Sequence, residues 1–338
     1  MTIGSALTQA FSLQYPIVSA PMAQASGGRL AAAVSNAGGL GLVGGGYGDP
    51  DWLRKELPLV REEAKRPWGV GLITWSATHE TVEFALAQEP YAFMLSFGDP
   101  KPYVPAIKKA GCQLICQVQD VEGALEAKAG GADFIVAQGT EAGGHGAEHA
   151  STLPLVPAVV DAVSPTPVLA AGGIADGRGL AAALMLGAQG VLMGTRFYTS
   201  IEALGHKRAK ERIVSARGEQ TKRTRIFDVA RGIEWPEHYT GRALRNHFLE
   251  RWEGREEELG TALDTEGAAF REAMREGNTD TAVVWCGEAA DLISEVLGAA
   301  ELVQRIGAEA EACLRSGKWL LDETGSARQG SKLQPSDS

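Results

Sequence analysis

The residues best equipped for chemistry lie in one stretch, "QGTEAGGHGAEHA", from Gln138 to Ala150. It packs two histidines, two glutamates and four glycines into thirteen residues. An imidazole titrates near pH 6.5, so a histidine here can take or give a proton at neutral pH. His145 to His149 also fits H-x-x-E-H, a spacing that on a helix aims two imidazoles at one zinc ion. Gly143, Gly144 and Gly146 each disfavour helix by about 1 kcal/mol relative to alanine. The stretch directly follows an apolar strand run, and no third ligand is evident. The expectation is therefore a loop with a proton-transferring His145 and no metal. His149 and Glu148 read as loop surface, and Glu141 as a residue that caps or hydrogen-bonds the loop backbone.

The elements that must position this loop repeat along the chain. From Pro16 to Gly194 a short apolar run ends in Gly, Ser or Pro, and an alanine-rich amphipathic run follows. Strand runs fall at 16–20, 40–44, 69–74, 92–97, 112–118, 133–138, 166–172 and 189–195. They are continuously apolar, as expected of a parallel sheet covered on both faces. Eight strands with seven intervening helices make a (β/α)8 barrel, and an open doubly wound sheet is the competitor. Residues 1–204 are expected to form the barrel. Residues 205–325 are charged and lack strand runs, so a helical addition over the barrel mouth is expected. Residues 278–317 read as two packed helices, and the last helices are expected to pack back on the barrel. The polar tail 326–338 reads as disordered. The basic run from His206 to Arg225 reads as a solvated helix face.

In an α/β barrel the chemistry collects where strands run into the loops that follow them. The seventh strand ends on Gly172-Gly173 and the eighth on Gly194-Thr195. Glycines there free backbone N–H groups to meet phosphate oxygens. Few lysines or arginines lie near these ends, so one phosphate on a larger, mainly uncharged ligand fits. Flavin mononucleotide (FMN) meets that description, with the amides of Gln117 and Gln138 for its polar atoms. "GLGLVG" at 39–44 matches G-x-G-x-x-G, but its helix precedes it and the glycines sit within the strand. They read as sites of tight packing or close approach.

Composition narrows the partners. A net charge of −10 argues against a nucleic-acid binder. No stretch approaches 18 uninterrupted apolar residues, and the N-terminus lacks the pattern of a signal peptide, so a cytoplasmic protein is expected. The four cysteines show no pairing pattern and read as buried free thiols. A monomer or homodimer is expected.

Several segments together resemble one family. They are "PIVSAPMA", "AAAVSNAGGLG", "QGTEAGGHG", "PVLAAGGIADGRGLAAALMLGAQGVLMGTRF" and "NTDTAVVWCGEAADLI", in order over about residues 14–310. The chain resembles the nitronate monooxygenases, formerly 2-nitropropane dioxygenases. The resemblance implies an FMN-binding barrel that oxidises alkyl nitronates, and in a wider reading nitroalkanes, with dioxygen to a carbonyl compound and nitrite. It makes His145 the active-site histidine. It places Ala20, Pro21 and Met22 as a backbone wall beside the flavin ring. Ile73 then lies near the ring, and Gln117 stands where the family often has lysine. Gln138, Gly143, Gly144, Ala171, Gly172, Gly173, Gly194 and Thr195 complete the implied FMN contacts. Trp285 and Cys286 are candidates for the cavity wall. Gly71 and Gln117 replace polar or cationic family residues. The alternative function is an NAD(P)H-dependent flavin reductase of enoyl thioesters or quinones on the same barrel.

Overall fold

The structure is a computed structural model, and residues 3–317 are described. Eleven strands occur among them. They are β1 (Ile17–Ser19), β2 (Leu40–Gly46), β3 (Trp68–Ile73), β4 (Ala92–Ser96), β5 (Gln113–Val118), β6 (Phe134–Gln138), β7 (Gly144–Gly146), β8 (Val168–Ala171), β9 (Val191–Met193), β10 (Thr221–Thr224) and β11 (Thr240–Leu244). All but β7, β10 and β11 close into a parallel barrel in the order β1-β2-β3-β4-β5-β6-β8-β9. The closing pair sets Ile17 beside Val191 and Ser19 beside Met193. The eight strand runs of the sequence thus become the eight staves, with ends shifted by at most two residues.

Each strand is buried on both faces, which explains its unbroken apolar composition. The barrel interior holds Val18, Leu42, Met94, Ile115, Phe134, Val136, Leu169 and Leu192. The helix Ala6–Phe11 adds Leu7 and Phe11 to this interior group. Outside the staves a second layer of apolar side chains joins strands to helices, among them Val43, Val70, Phe93, Leu155 and Val159. The G-x-G-x-x-G run serves packing. A side chain at Gly41 would overlap the Ala31 carbonyl of the preceding helix, and one at Gly44 would overlap the backbone of Met22.

The region after β9 departs from the expected all-helical addition. It contributes β10 and β11, which pair antiparallel, and β11 pairs with β7. The result is a three-stranded sheet, β10-β11-β7, standing over the barrel mouth with the histidine loop as one edge. These strands are short and polar ("TKRT", "TGRAL"), so they carry no apolar run. Residues 278–317 hold one long helix, Ala299–Ser316, rather than two. The part before it is irregular apart from a 3-10 turn at Glu288–Leu292. The long helix packs between Gly177–Met185 and Gly28–Asn36, where an eighth barrel helix belongs. Its buried Leu302, Val303 and Ile306 join the outer barrel core.

The basic run is not one solvated face. Lys207–Val214 is a helix, but Lys210 is buried and donates to the carbonyls of Ser200 and Ala203 at 2.7 and 2.6 Å. Arg223 lies within the sheet. The cysteines are unpaired; Cys112, Cys116 and Cys286 are buried and Cys313 half-buried. The tail 326–338 lies outside the described residues. No helix among the described residues is long and apolar enough to cross a membrane.

Candidate active site

All fourteen residues expected at the site line one cavity of about 630 Å³ at the C-terminal ends of the staves. Ala20, Pro21 and Met22 form the turn leaving β1, where Met22 N–H donates to the Ala20 carbonyl at 3.0 Å. Gly71 on β3 lies directly against the Pro21 ring, and any side chain there would displace it. Ile73 ends β3 and Gln117 sits near the end of β5. Ala171, Gly172 and Gly173 end β8, with φ of +101° at Gly172 and +69° at Gly173. Side chains rarely adopt that backbone region, so glycine is required at both. Gly194 precedes the short helix Thr195–Tyr198. A Cβ at Gly194 would touch only Ala20 and the Met22 sulfur, each at 3.8 Å, so space lies open beside it. Thr195 Oγ1 accepts from Gly287 N–H at 3.0 Å, which leaves its own proton free to donate.

Gln138 lines the cavity, yet its amide is engaged within the protein. Its Nε2 donates to the His145 carbonyl at 2.9 Å. Its Oε1 accepts from Gln117 Nε2 at 3.1 Å and from Gln119 Nε2 at 2.9 Å. The amide therefore holds the histidine loop, and Gln117 keeps an uncommitted oxygen beside the cavity.

The loop is pinned from beneath by two arginines. Arg223 donates to the carbonyls of Thr140, Gly146 and Thr240 at 3.1, 3.2 and 2.8 Å. Arg242 donates to the Thr140 carbonyl at 3.0 Å and pairs with Glu288 at 2.8 Å. Burial pulls the Arg223 guanidinium down to about 10, still charged at neutral pH. Glu141 accepts the backbone N–H of Thr152 at 3.0 Å, capping the next helix as expected. Glu148 and His149 are exposed.

His145 itself turns inward. Its ring stacks on Trp235 with centroids 3.6 Å apart and planes 5° from parallel. Trp285 lies 5.0 Å from it on a tilted approach. Its Nε2 is 2.9 Å from Asp228 Oδ2. Burial holds the imidazole below the ordinary histidine value, and the Asp228 carboxylate pulls the other way. Arg231 Nη1 approaches Asp228 Oδ1 at 3.4 Å and the Tyr47 hydroxyl at 3.4 Å. Trp235 Nε1 donates to that hydroxyl at 3.0 Å. Trp75, Phe97 and Tyr239 complete an aromatic wall around Trp235.

Asp228, Arg231, Trp235 and Tyr47 were not legible as site residues. Three of them come from the addition, more than eighty positions after His145. The one available signal was a lone carboxylate inside the apolar run "IFDVA". Trp285 does line the cavity, but Cys286 does not. It is buried beside Val284 and Ala289, where burial pushes its thiol up to about 12.

The barrel half of the cavity suits FMN on its own geometry. It offers positive-φ glycines, a free threonine hydroxyl, a free amide oxygen and a small-residue wall. The outer half is mostly apolar and comes from the addition, with Leu204, Ala209, Met274, Val283 and Trp285 in its wall.

Comparison with known proteins agrees with this architecture. The sequence profile described as "Nitronate monooxygenase" matches residues 4–309. A "Probable nitronate monooxygenase" of Staphylococcus aureus (strain JH9) is 32% identical over 333 residues, covering 83% of this chain and 90% of that protein. FabK from Thermotoga maritima superposes with a TM-score of 0.84 at 32% identity, covering 94% of this chain and all of the other. The nitroalkane oxidase from Streptomyces ansochromogenes superposes with a TM-score of 0.77 at 28% identity, covering 93% of this chain and all of the other. A profile spanning nine-tenths of the chain, on a barrel of this topology, settles its kinship: the chain belongs to the nitronate monooxygenase family of flavin-dependent oxidoreductases.

Proposed function

We propose that the protein binds FMN at the ends of β8 and β9 and oxidises alkyl nitronates with dioxygen, releasing a carbonyl compound and nitrite. The observation that carries this reading is a juxtaposition. The ring of His145 and the glycine-lined ends of β8 and β9 share one cavity.

Bound flavin supplies the electron-accepting and oxygen-reducing chemistry, and the protein supplies position and exclusion of water. Gly172, Gly173, Gly194 and Thr195 would hold the phosphate. Ala20, Pro21 and Met22 would flank the ring, with Ile73, Ala171, Gly143 and Gly144 close by. Gln117 would offer its free oxygen to a ring N–H. His145 takes the carbon-bound proton when the substrate arrives as a neutral nitroalkane, and a nitronate, already ionised, needs no such base. The aromatic wall and Trp285 keep water from the reacting carbon.

A second reading, NAD(P)H-dependent reduction of enoyl thioesters or quinones, has the barrel in common. Anaerobic mixing separates the two. The purified protein should lose its flavin colour on addition of a nitronate and keep it with NADH or NADPH. Bleaching by a nicotinamide alone would move the assignment to the reductase.

A further inference from the structure

We infer that Asp228 fixes neutral His145 with its proton on Nε2, so that Nδ1 is the atom that meets the substrate proton. The inference deepens the proposed function and rests on its reading of His145 as a base. Asp228 is a positioning residue in this scheme, since it lies behind the cavity lining and acts through the imidazole.

Three observations carry the inference. The His145–Asp228 contact is 2.9 Å long, and the two side chains are only 9% and 3% exposed. An ionised carboxylate can only accept, so the shared hydrogen belongs to Nε2. The second carboxylate oxygen faces Arg231, a contact that resists rotation of the carboxylate away from the ring. Nδ1 has no hydrogen-bond partner among the described residues, and the ring that carries it lines the cavity. Turning the ring over would exchange the Asp228 hydrogen bond for a C–H contact.

The proton step then balances simply. The C–H bond next to a nitro group breaks, and its electron pair moves onto the nitro group to give the nitronate. The proton goes to Nδ1, and the resulting imidazolium faces the Asp228 carboxylate. The charged and titratable groups around the ring are Asp228, Arg231, Arg223 and the Tyr47 phenol. The two guanidinium groups and burial oppose the imidazolium, and Asp228 favours it. An asparagine at this position can donate its amide proton to Nε2 and drive the ring proton onto Nδ1, removing the base.

The test uses the FMN-loaded full chain with 15N-labelled histidine. Its NMR spectrum at mildly alkaline pH should show one neutral ring with protonated Nε2 and bare Nδ1, assigned by its loss in His145→Gln. A proton on Nδ1 in the unsubstituted protein would overturn the inference, and this arm does not depend on how an Asp228 variant folds. In Asp228→Asn the tautomer should switch. Its kcat with a neutral nitroalkane should fall by about 100-fold or more with KM little changed, while preformed nitronate turns over within about threefold of normal. Equal losses with both substrates would overturn the inference and leave Asp228 a support of the fold. A protein that oxidises no nitronate would contradict the proposed function instead, and the NMR result would still decide the tautomer.

Discussion

His145 works as a neutral base only if its surroundings keep it neutral. Burial lowers its pKa, so the folded protein resists the proton more than the unfolded chain does. The acid limb of kcat/KM for a neutral nitroalkane should therefore lie below pH 6.5, the ordinary value. The same sign governs stability. Below pH 6.5 the unfolded chain gains a proton that the folded one refuses, so this contribution is full above that pH and is lost as pH falls through the lowered value. A pH profile of kcat/KM checks the first point, and a limb displaced above pH 7 would contradict it. His145→Ala should keep bound flavin and lose turnover of a neutral nitroalkane by about 100-fold or more. Parallel measurement of the flavin spectrum and nitrite release checks this. His145 could be read from the sequence because a glycine-rich loop after a barrel strand has few other uses. Asp228 could not, because nothing in "IFDVA" says which distant loop a folded chain will bring to it.

At the scale of elements, the small sheet β10-β11-β7 decides where the histidine sits. Gly144, His145 and Gly146 pair with Arg242, Gly241 and Thr240, so His145 is an edge-strand residue rather than a free loop residue. A Cβ at Gly241 would run into the Trp285 ring, which seats that tryptophan beside His145. Arg223 ties the sheet to the loop through the carbonyls of Thr140, Gly146 and Thr240. Arg223→Leu would leave the carbonyls of Gly146 and Thr240 short of a donor at about 1–3 kcal/mol each. The expected result is a lower urea midpoint and a fall in kcat larger than the change in KM. An unchanged midpoint would show the clasp to be idle. The staves were legible because burial on both faces writes a continuous apolar run. β10 and β11 were not, because their stability comes from backbone pairing and two half-buried arginines. A strand of "TKRT" looks like surface until its partners are known.

For the whole molecule, the order of elements in sequence is not the order of layers in space. The barrel's last stave ends at Met193, and the helix that completes its outer ring begins at Ala299. Everything between forms the roof over the site. The roof is therefore anchored at both ends by the barrel, through Thr195 at one side and the long helix at the other. Ile306, at 3% exposure, packs in that outer layer. Ile306→Ala should cost about 2–5 kcal/mol of stability while barely altering KM for a nitronate, since it lies far from the cavity lining. Chemical denaturation and steady-state kinetics on one preparation check both halves. A periodicity that stops at residue 194 could not announce that the eighth helix waits about a hundred residues further on.

The central claim is that one FMN sits in the mouths of β8 and β9 beside His145. The most direct measurement is the absorption spectrum of the purified protein, followed by identification of what denaturation releases. The account predicts a yellow protein that releases one FMN per chain, with that content lost in Gly173→Val. A colourless protein, or a Gly173→Val variant that retains a full complement of flavin, would contradict it.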